Sequence, residues 1–288
     1  MMYTNPLYRP PSEARSLIIQ LTEGCSYNKC TFCGMYKDKP FRLRGPEEIK
    51  SHIDYLKKYD PRPDKIFIAD GNFLCLSTDK ILTHLEMIQK NFVTAKRISC
   101  YAGPLDLIRK SSEDLTAIRN GGLDMLYMGV ESGNDEVLKR INKGVTSKEM
   151  IEAGKKAVKH GFTFSCMIIS GLGGEELSQA HALDSARVIS EIDPHYFALL
   201  TLNLEPNTPL YQQVDRGEFK LMSPDDIMLE TYRMIDAMSL TYCVFRSNHV
   251  SNYVNLSGIL DRDKASILKK IEIAMSSRDY TPEYFRRL

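Results

Sequence analysis

The sequence predicts an α/β fold built on a parallel sheet. Short apolar runs alternate with longer amphipathic runs six times between Ser16 and about residue 220. The short runs are apolar almost throughout, as strands buried on both faces are. No linker or composition shift interrupts the series, so residues 1–220 read as one domain with right-handed crossovers. Periodicity alone permits either a doubly wound or a barrel-like sheet.

Ser16–Thr22 (SLIIQLT) is the first strand, and residues 47–59 follow with Ile49, Ile53 and Leu56 at helical spacing. Lys65–Asp70 is the second strand. The next helix starts at Thr78-Asp79, which suits an N-cap and the helix dipole. Arg97–Ala102 is the third strand, followed by a helix that glycine stops. Met125–Glu131 is the fourth, followed by helical runs over residues 134–144 and 147–161, each closed by glycine. Phe162–Gly171 and Tyr196–Leu204 are the fifth and sixth, with a helix over 176–192 between them. Residues 221–288 differ. They read as a helix with a Ser-Pro-Asp start, a strand candidate over 242–258 that runs into a polar loop, and a terminal helix. Together they form an extension capping the sheet rather than an independent domain.

In either kind of parallel sheet, ligands sit at the C-terminal strand ends. Polar residues and glycines collect there: EGCSYNKC after strand one, DGN after two, ESGND after four, GLGGEE after five and NLEPNTP after six.

Bulk properties exclude several classes. A net charge of +1 gives no global field toward nucleic acid or membrane. The N-terminus lacks a signal-peptide pattern, and no apolar run approaches the roughly 18 residues of a membrane span. The 7 cysteines are odd in number and three are clustered, which favours reduced thiols and a cytoplasmic location over a disulfide framework.

Cys25, Cys30 and Cys33 fall within nine residues, spaced C-x4-C-x2-C. Structural zinc wants four ligands, usually as two close pairs, and no fourth Cys or His lies nearby. A cubane iron–sulfur cluster normally takes four thiolates, so three would leave one iron open to an outside ligand. The loop follows the first strand, which puts that iron at the mouth of the sheet. Cys75 follows strand two near the mouth, Cys100 and Cys166 read as core thiols, and Cys243 is open. No second cysteine run suggests an auxiliary cluster.

This run resembles the radical S-adenosylmethionine (SAM) superfamily, whose usual motif is C-x3-C-x2-C with an aromatic before the last Cys. Phe32 supplies the aromatic, and the first gap is one residue longer. The resemblance extends from about residue 15 to 210 and implies a partial (β/α)6 TIM-like barrel, a [4Fe-4S] cluster and SAM. Members bind the methionine amino group after strand two, where this chain has Asp70, Gly71 and Asn72. GVESGNDEVLKRINKG is similar to a run in coproporphyrinogen-oxidase-like, methylthiotransferase-like and elongator-like members. By that similarity Glu131 and Ser132 approach SAM and Lys143 its carboxylate, with lysine acting as a point charge. MIISGLGGEE implies that Ile169 and Gly171 lie along adenine, with Leu202 and Asn203 after strand six on its other side. Taken singly, Glu131 and Asp70 also read as N-cap or turn carboxylates, Ile169 as core, and Gly171, Gly173 and Gly174 as turn glycines.

The resemblance further implies reductive SAM cleavage to a 5′-deoxyadenosyl radical, which abstracts a hydrogen atom from a small or medium organic substrate. Such an oxidoreductase or transferase needs a low-potential electron donor such as flavodoxin or ferredoxin. Arg246, His249, Asn252 and Tyr253, in the polar run after residue 245, are candidate substrate contacts or a hydrogen-bonded surface loop. Two alternatives stand beside this expectation: a radical enzyme modifying RNA or protein side chains, and an iron–sulfur or zinc scaffold or electron carrier. Neutral charge and the lack of an RNA-binding module count against nucleic acid.

Overall fold

Each predicted β-then-α step is present in the structure, a computed structural model that describes residues 3–286. The chain forms two compact units. The first comprises residues through Asn28, Met35–Met128 and Lys156–Phe164; the second comprises Lys29–Gly34, Gly129–Lys155 and the residues from Ser165 on. Eight strands make a mostly parallel sheet in the order β1-β4-β5-β6-β7-β8-β9-β10. The first six follow chain order, with no switch point of the doubly wound kind.

In the first unit lie β1 (Leu17–Gln20), β2 (Thr22–Glu23), β3 (Arg42–Leu43), α1 (Pro46–Tyr59), β4 (Lys65–Ala69), α2 (Thr78–Asn91), β5 (Arg97–Tyr101), α3 (Pro104–Arg109) and α4 (Ser112–Asn120). β6 (Met125–Glu131) begins here. β1 pairs with β4 from Leu17↔Ile66 to Gln20↔Ala69, and β4 pairs with β5, both parallel. Ile19, Ile66, Phe67, Ile68 and Cys100 are fully buried, which accounts for the continuous apolar runs. α1 buries Ile49, Ile53 and Leu56, the stripe its spacing predicts, and the Glu48 carboxylate accepts from Gly45 N–H at 2.7 Å as an N-terminal cap. The first strand ends at Gln20 rather than Thr22. Thr22 and Glu23 turn to pair antiparallel with Leu43 and Arg42.

The second unit holds α5 (Asp135–Arg140), most of α6 (Ser147–Lys159), then β7 (Thr163–Ser170) from Ser165, α7 (Gly174–Ile192), β8 (Tyr196–Thr201), α8 (Pro209–Asp215), α9 (Pro224–Ala237), β9 (Val244–Ser247), β10 (Leu256–Ile259) and α10 (Leu260–Ser277). α5 stops at Arg140, short of the helix read to Gly144, because Asn142 and Gly144 take positive φ. The strand expected over 242–258 is a pair: β9 adds to β8 in parallel, and β10 returns antiparallel to β9. These strands lengthen the sheet, while α9 packs on α7 and α10 packs on α9 and β10. Among the described residues no helix is long and apolar enough to cross a membrane.

Candidate cofactor site

In the first unit, the ends of β1 and β4 frame the start of the cysteine loop. Asp70 is fully buried, and its Oδ2 accepts from Gly24 N–H (3.0 Å) and Gln20 Nε2 (3.1 Å) and pairs with Lys39 Nζ (2.7 Å). Burial pushes the Asp70 carboxyl up, with Lys39 and the Gly24 N–H pulling the other way. Gly71 N–H donates to Gly24 O at 3.1 Å, and a Cβ on Gly71 would come 2.9 Å from Cys25 Cβ. Asn72 is engaged on both sides of its amide. Nδ2 donates to Ser26 Oγ (2.9 Å) and Asp106 Oδ2 (2.5 Å), and Oδ1 accepts from Gly103 N–H (3.1 Å). Asn28 lies inside the longer first gap of the motif at φ 44; its Nδ2 donates to Tyr36 O at 2.7 Å, and its carbonyl accepts from Lys37 Nζ at 3.1 Å. The turn there is thus held by named bonds, asparagine being among the residues that tolerate the left-handed region. Half-buried Cys75 donates to Asn72 O, and burial pushes its thiol up to about 11.

In the second unit, Thr31 N–H donates to Ile141 O (2.9 Å), Asn142 Nδ2 to Lys29 O (3.1 Å), and Leu210 N–H to Thr31 O (3.0 Å). The segment carrying Cys30, half-buried Phe32 and Cys33 is thereby stitched to the ends of α5 and α8. The Glu205 carboxyl, raised by burial, also takes the Gly34 N–H. Glu131 ends β6 at φ 66, and its carboxylate folds back over Gly129, where a Cβ would sit 2.0 Å from Oε1. Only glycine at 129 leaves that space. Glu131 Oε1 lies 3.0 Å from Lys143 Nζ, while Oε2 is buried without a protein partner. Burial pulls the Lys143 ammonium down, but Glu131 and the nearby Cys30 and Cys33 outweigh this and raise it.

The ends of β7 and β8 complete that unit's polar region. Ile168 is fully buried but Ile169 is half-exposed, as period-two alternation requires, so Ile169 is not a core residue. Gly171 N–H donates to Glu230 Oε1 at 2.8 Å, and a Cβ at Gly171 would meet Leu202 Cβ at 3.6 Å. Ser132, fully buried, bonds His181 Nδ1 at 2.8 Å, and His181 Nε2 lies 3.8 Å from Glu230 Oε1. Among the described residues of the second unit, the buried side-chain polar atoms without a partner belong to Glu131, Ser170, His181 and Glu230.

The remaining candidates make these contacts. Asn252 Oδ1 accepts from Thr201 Oγ1 and its Nδ2 donates to Leu199 O. Tyr253 stacks under the Arg286 guanidinium, 3.6 Å from ring centroid, and bonds Glu283. Asn203 Nδ2 donates to Arg286 O at 3.2 Å. His249 Nδ1 bonds Ser251 within its own turn, and Arg246 is exposed. Sequence reasoning missed Lys39, Asp106, His181, Glu205 and Glu230. Only Glu205, in the run NLEPNTP, lay in a stretch marked as a strand-end loop.

The donor set suits a cluster. All three cysteines of the motif are half-buried thiols outside any disulfide, and soft thiolates select iron–sulfur chemistry. Among the described residues no three His, Cys, Asp or Glu side chains form a ready-made metal set. Glu131 Oε2 is a buried acceptor available to a ligand's donor, and Lys143 beside it is a cation suited to a carboxylate.

The chain is 24% identical over 212 residues to the heme chaperone HemW of Bacillus subtilis, covering 73% of this chain and 54% of that protein. Across the HemW relatives it spans 54–63% of their length. Coproporphyrinogen III oxidase (HemN) from Escherichia coli superposes with a TM-score of 0.56 at 20% identity, covering 78% of this chain and 54% of that one. The archaeal Methanocaldococcus infernus Elp3 gives 0.55 at 16% identity, covering 92% and 63%. These likenesses show the fold. The Radical SAM superfamily model matches residues 19–186, more than half of the chain. The chain therefore belongs to the radical SAM superfamily, enzymes whose cofactors are a [4Fe-4S] cluster and SAM.

Proposed function

We propose that this chain cleaves SAM reductively and that the resulting 5′-deoxyadenosyl radical takes a hydrogen atom from a small or medium organic substrate. The observation that carries the reading is the Glu131–Lys143 pair, 3.0 Å apart, with Lys143 in the field of Cys30 and Cys33. Thiols, a cation and a carboxylate with an unused buried oxygen thus meet in one unit.

Cys25, Cys30 and Cys33 would hold the cluster, their three thiols being gathered by metal binding. When bound, the cluster supplies the electron that opens a carbon–sulfur bond of SAM. Lys143 holds the SAM carboxylate by charge, and Glu131 Oε2 accepts a ligand hydroxyl. Ser132, tied to His181, keeps the Glu131 turn in place. Ile169, Gly171, Leu202 and Asn203 flank adenine, with Phe32 on the cluster side. Gly71 and Asn72 lie on the amino side of SAM. Residues 1–220 are the catalytic part. Residues 221–288, with Arg246, His249, Asn252 and Tyr253, shape the substrate side. A low-potential donor such as flavodoxin or ferredoxin serves the chain in the cytoplasm. The likeness to heme chaperone HemW makes a tetrapyrrole the first substrate class to test.

The test is anaerobic reconstitution with iron and sulfide, then SAM and a reductant. 5′-Deoxyadenosine in amounts exceeding the protein is expected, with deuterium entering it from a labelled substrate. A cluster-loaded protein that yields none contradicts the reading.

A further inference from the structure

We propose that the buried Lys39–Asp70 pair is a clasp that closes the cysteine loop, so that Asp70 positions Cys25 through its Oδ2. The inference rests on the cluster reading of the three cysteines and deepens it.

The geometry is two-sided. Asp70 Oδ2 receives the N–H of Gly24, the residue before Cys25. The carbonyl of the same glycine receives Gly71 N–H. Both faces of Gly24 are therefore bound by the end of β4. On the far side of the loop stands Lys39, six residues after Cys33. Its ammonium is nearly buried, pairs with the same Oδ2 at 2.7 Å, and donates to Thr4 O (2.5 Å) and Pro6 O (2.8 Å). One carboxylate oxygen thus holds the residue entering the loop and a residue leaving it.

The backbone repeats this closure. Gly24 sits at φ 72, and a Cβ there would come 2.4 Å from Lys39 O. The two ends of the loop are in direct contact, and only glycine allows it. Gln20 Nε2 steadies Asp70 Oδ2 from β1, and Thr22 Oγ1 accepts from Asp70 N–H. Asp70 Oδ2 therefore has three donors, all from the loop and its frame, while Oδ1 is buried without a protein partner.

A loop one residue longer than the family's usual motif needs such a closure. The added length at Asn28 enlarges the space its ends can explore, and joining the ends restores a fixed start for Cys25. Partners of this kind, which orient ligands without touching metal, typically change metal affinity about 10- to 100-fold when removed.

The experiment measures iron and sulfide retention after desalting, and SAM affinity from the change in cluster absorbance. It uses wild type, D70N, K39M and G24A, each checked for folding by circular dichroism. The clasp predicts about tenfold weaker iron retention in all three variants. In K39M and G24A the fraction that keeps its cluster should still bind SAM as wild type does. D70N with full iron would overturn the proposal, and if it also lost SAM binding it would make Asp70 an amino contact instead. K39M and G24A with full iron would overturn it as well. If one of the three variants does not fold, the remaining ones decide. Wild type that takes up no iron defeats the cluster reading itself, which is a distinguishable failure.

Discussion

Lys143 Nζ lies 3.0 Å from Glu131 Oε1, with 13% and 8% of the two side chains exposed. The pair joins the end of β6 to the turn after α5 and leaves Glu131 Oε2 unused. K143M would leave a buried carboxylate unpaired, so it should cost about 3 kcal/mol in urea denaturation. E131Q keeps the volume and removes the charge. It should retain iron and weaken SAM binding about tenfold, read by titrating the cluster absorbance. Unchanged SAM affinity in E131Q removes Glu131 from the site.

Glu230 on α9 caps Gly171 N–H and faces His181, which in turn bonds Ser132. E230A strands a buried donor and should destabilise the fold by about 1–3 kcal/mol. E230Q can still accept from Gly171 and should recover most of this. Equal losses in both variants would mean that charge, rather than the bond, matters.

His52 carries a pH prediction. Burial, assisted by Arg44, lowers its imidazole from 6.5 to about 4. It packs edge-on to Tyr3 and lies 3.2 Å from the Gln20 backbone N–H, which donates to its Nε2. Between those values the unfolded chain binds the proton and the native one does not, so stability rises with pH. The contribution is complete above about 6.5 and falls away toward pH 4, by about 3 kcal/mol. His84 and His249, also lowered by burial, add the same sign. H52L should flatten the stability profile between pH 4 and 6.5, measured by urea midpoints. An unchanged slope contradicts this account.

The parts legible in the sequence were those with local signals. Continuous apolar runs marked β4 to β6 because both faces of those strands are buried, β8 alternates buried and half-exposed residues, and Ile49, Ile53 and Leu56 marked α1 by spacing. β2 and β3 are two residues each, too short for any period, and their pairing spans the cysteine loop. α3 and α8 are brief helices begun by proline, which a sequence reading takes for loop. In the site, cysteines and strand-end glycines were visible, but partners distant in sequence were not. His181 sits on a helix face among Ala182, Ser185 and Ala186, and nothing local links it to Ser132 or Glu230. Lys39 looks like one more surface lysine in YKDKP, and only the fold brings it to Asp70.

The central claim is that Cys25, Cys30 and Cys33 hold a cluster that SAM engages. Its most direct test is electron paramagnetic resonance of the anaerobically reconstituted, reduced protein with and without SAM, beside metal analysis. The account predicts about four irons per chain, a reduced cubane signal that changes on adding SAM, and loss of both in C30A. One zinc with no iron, or a cluster signal indifferent to SAM, would contradict it.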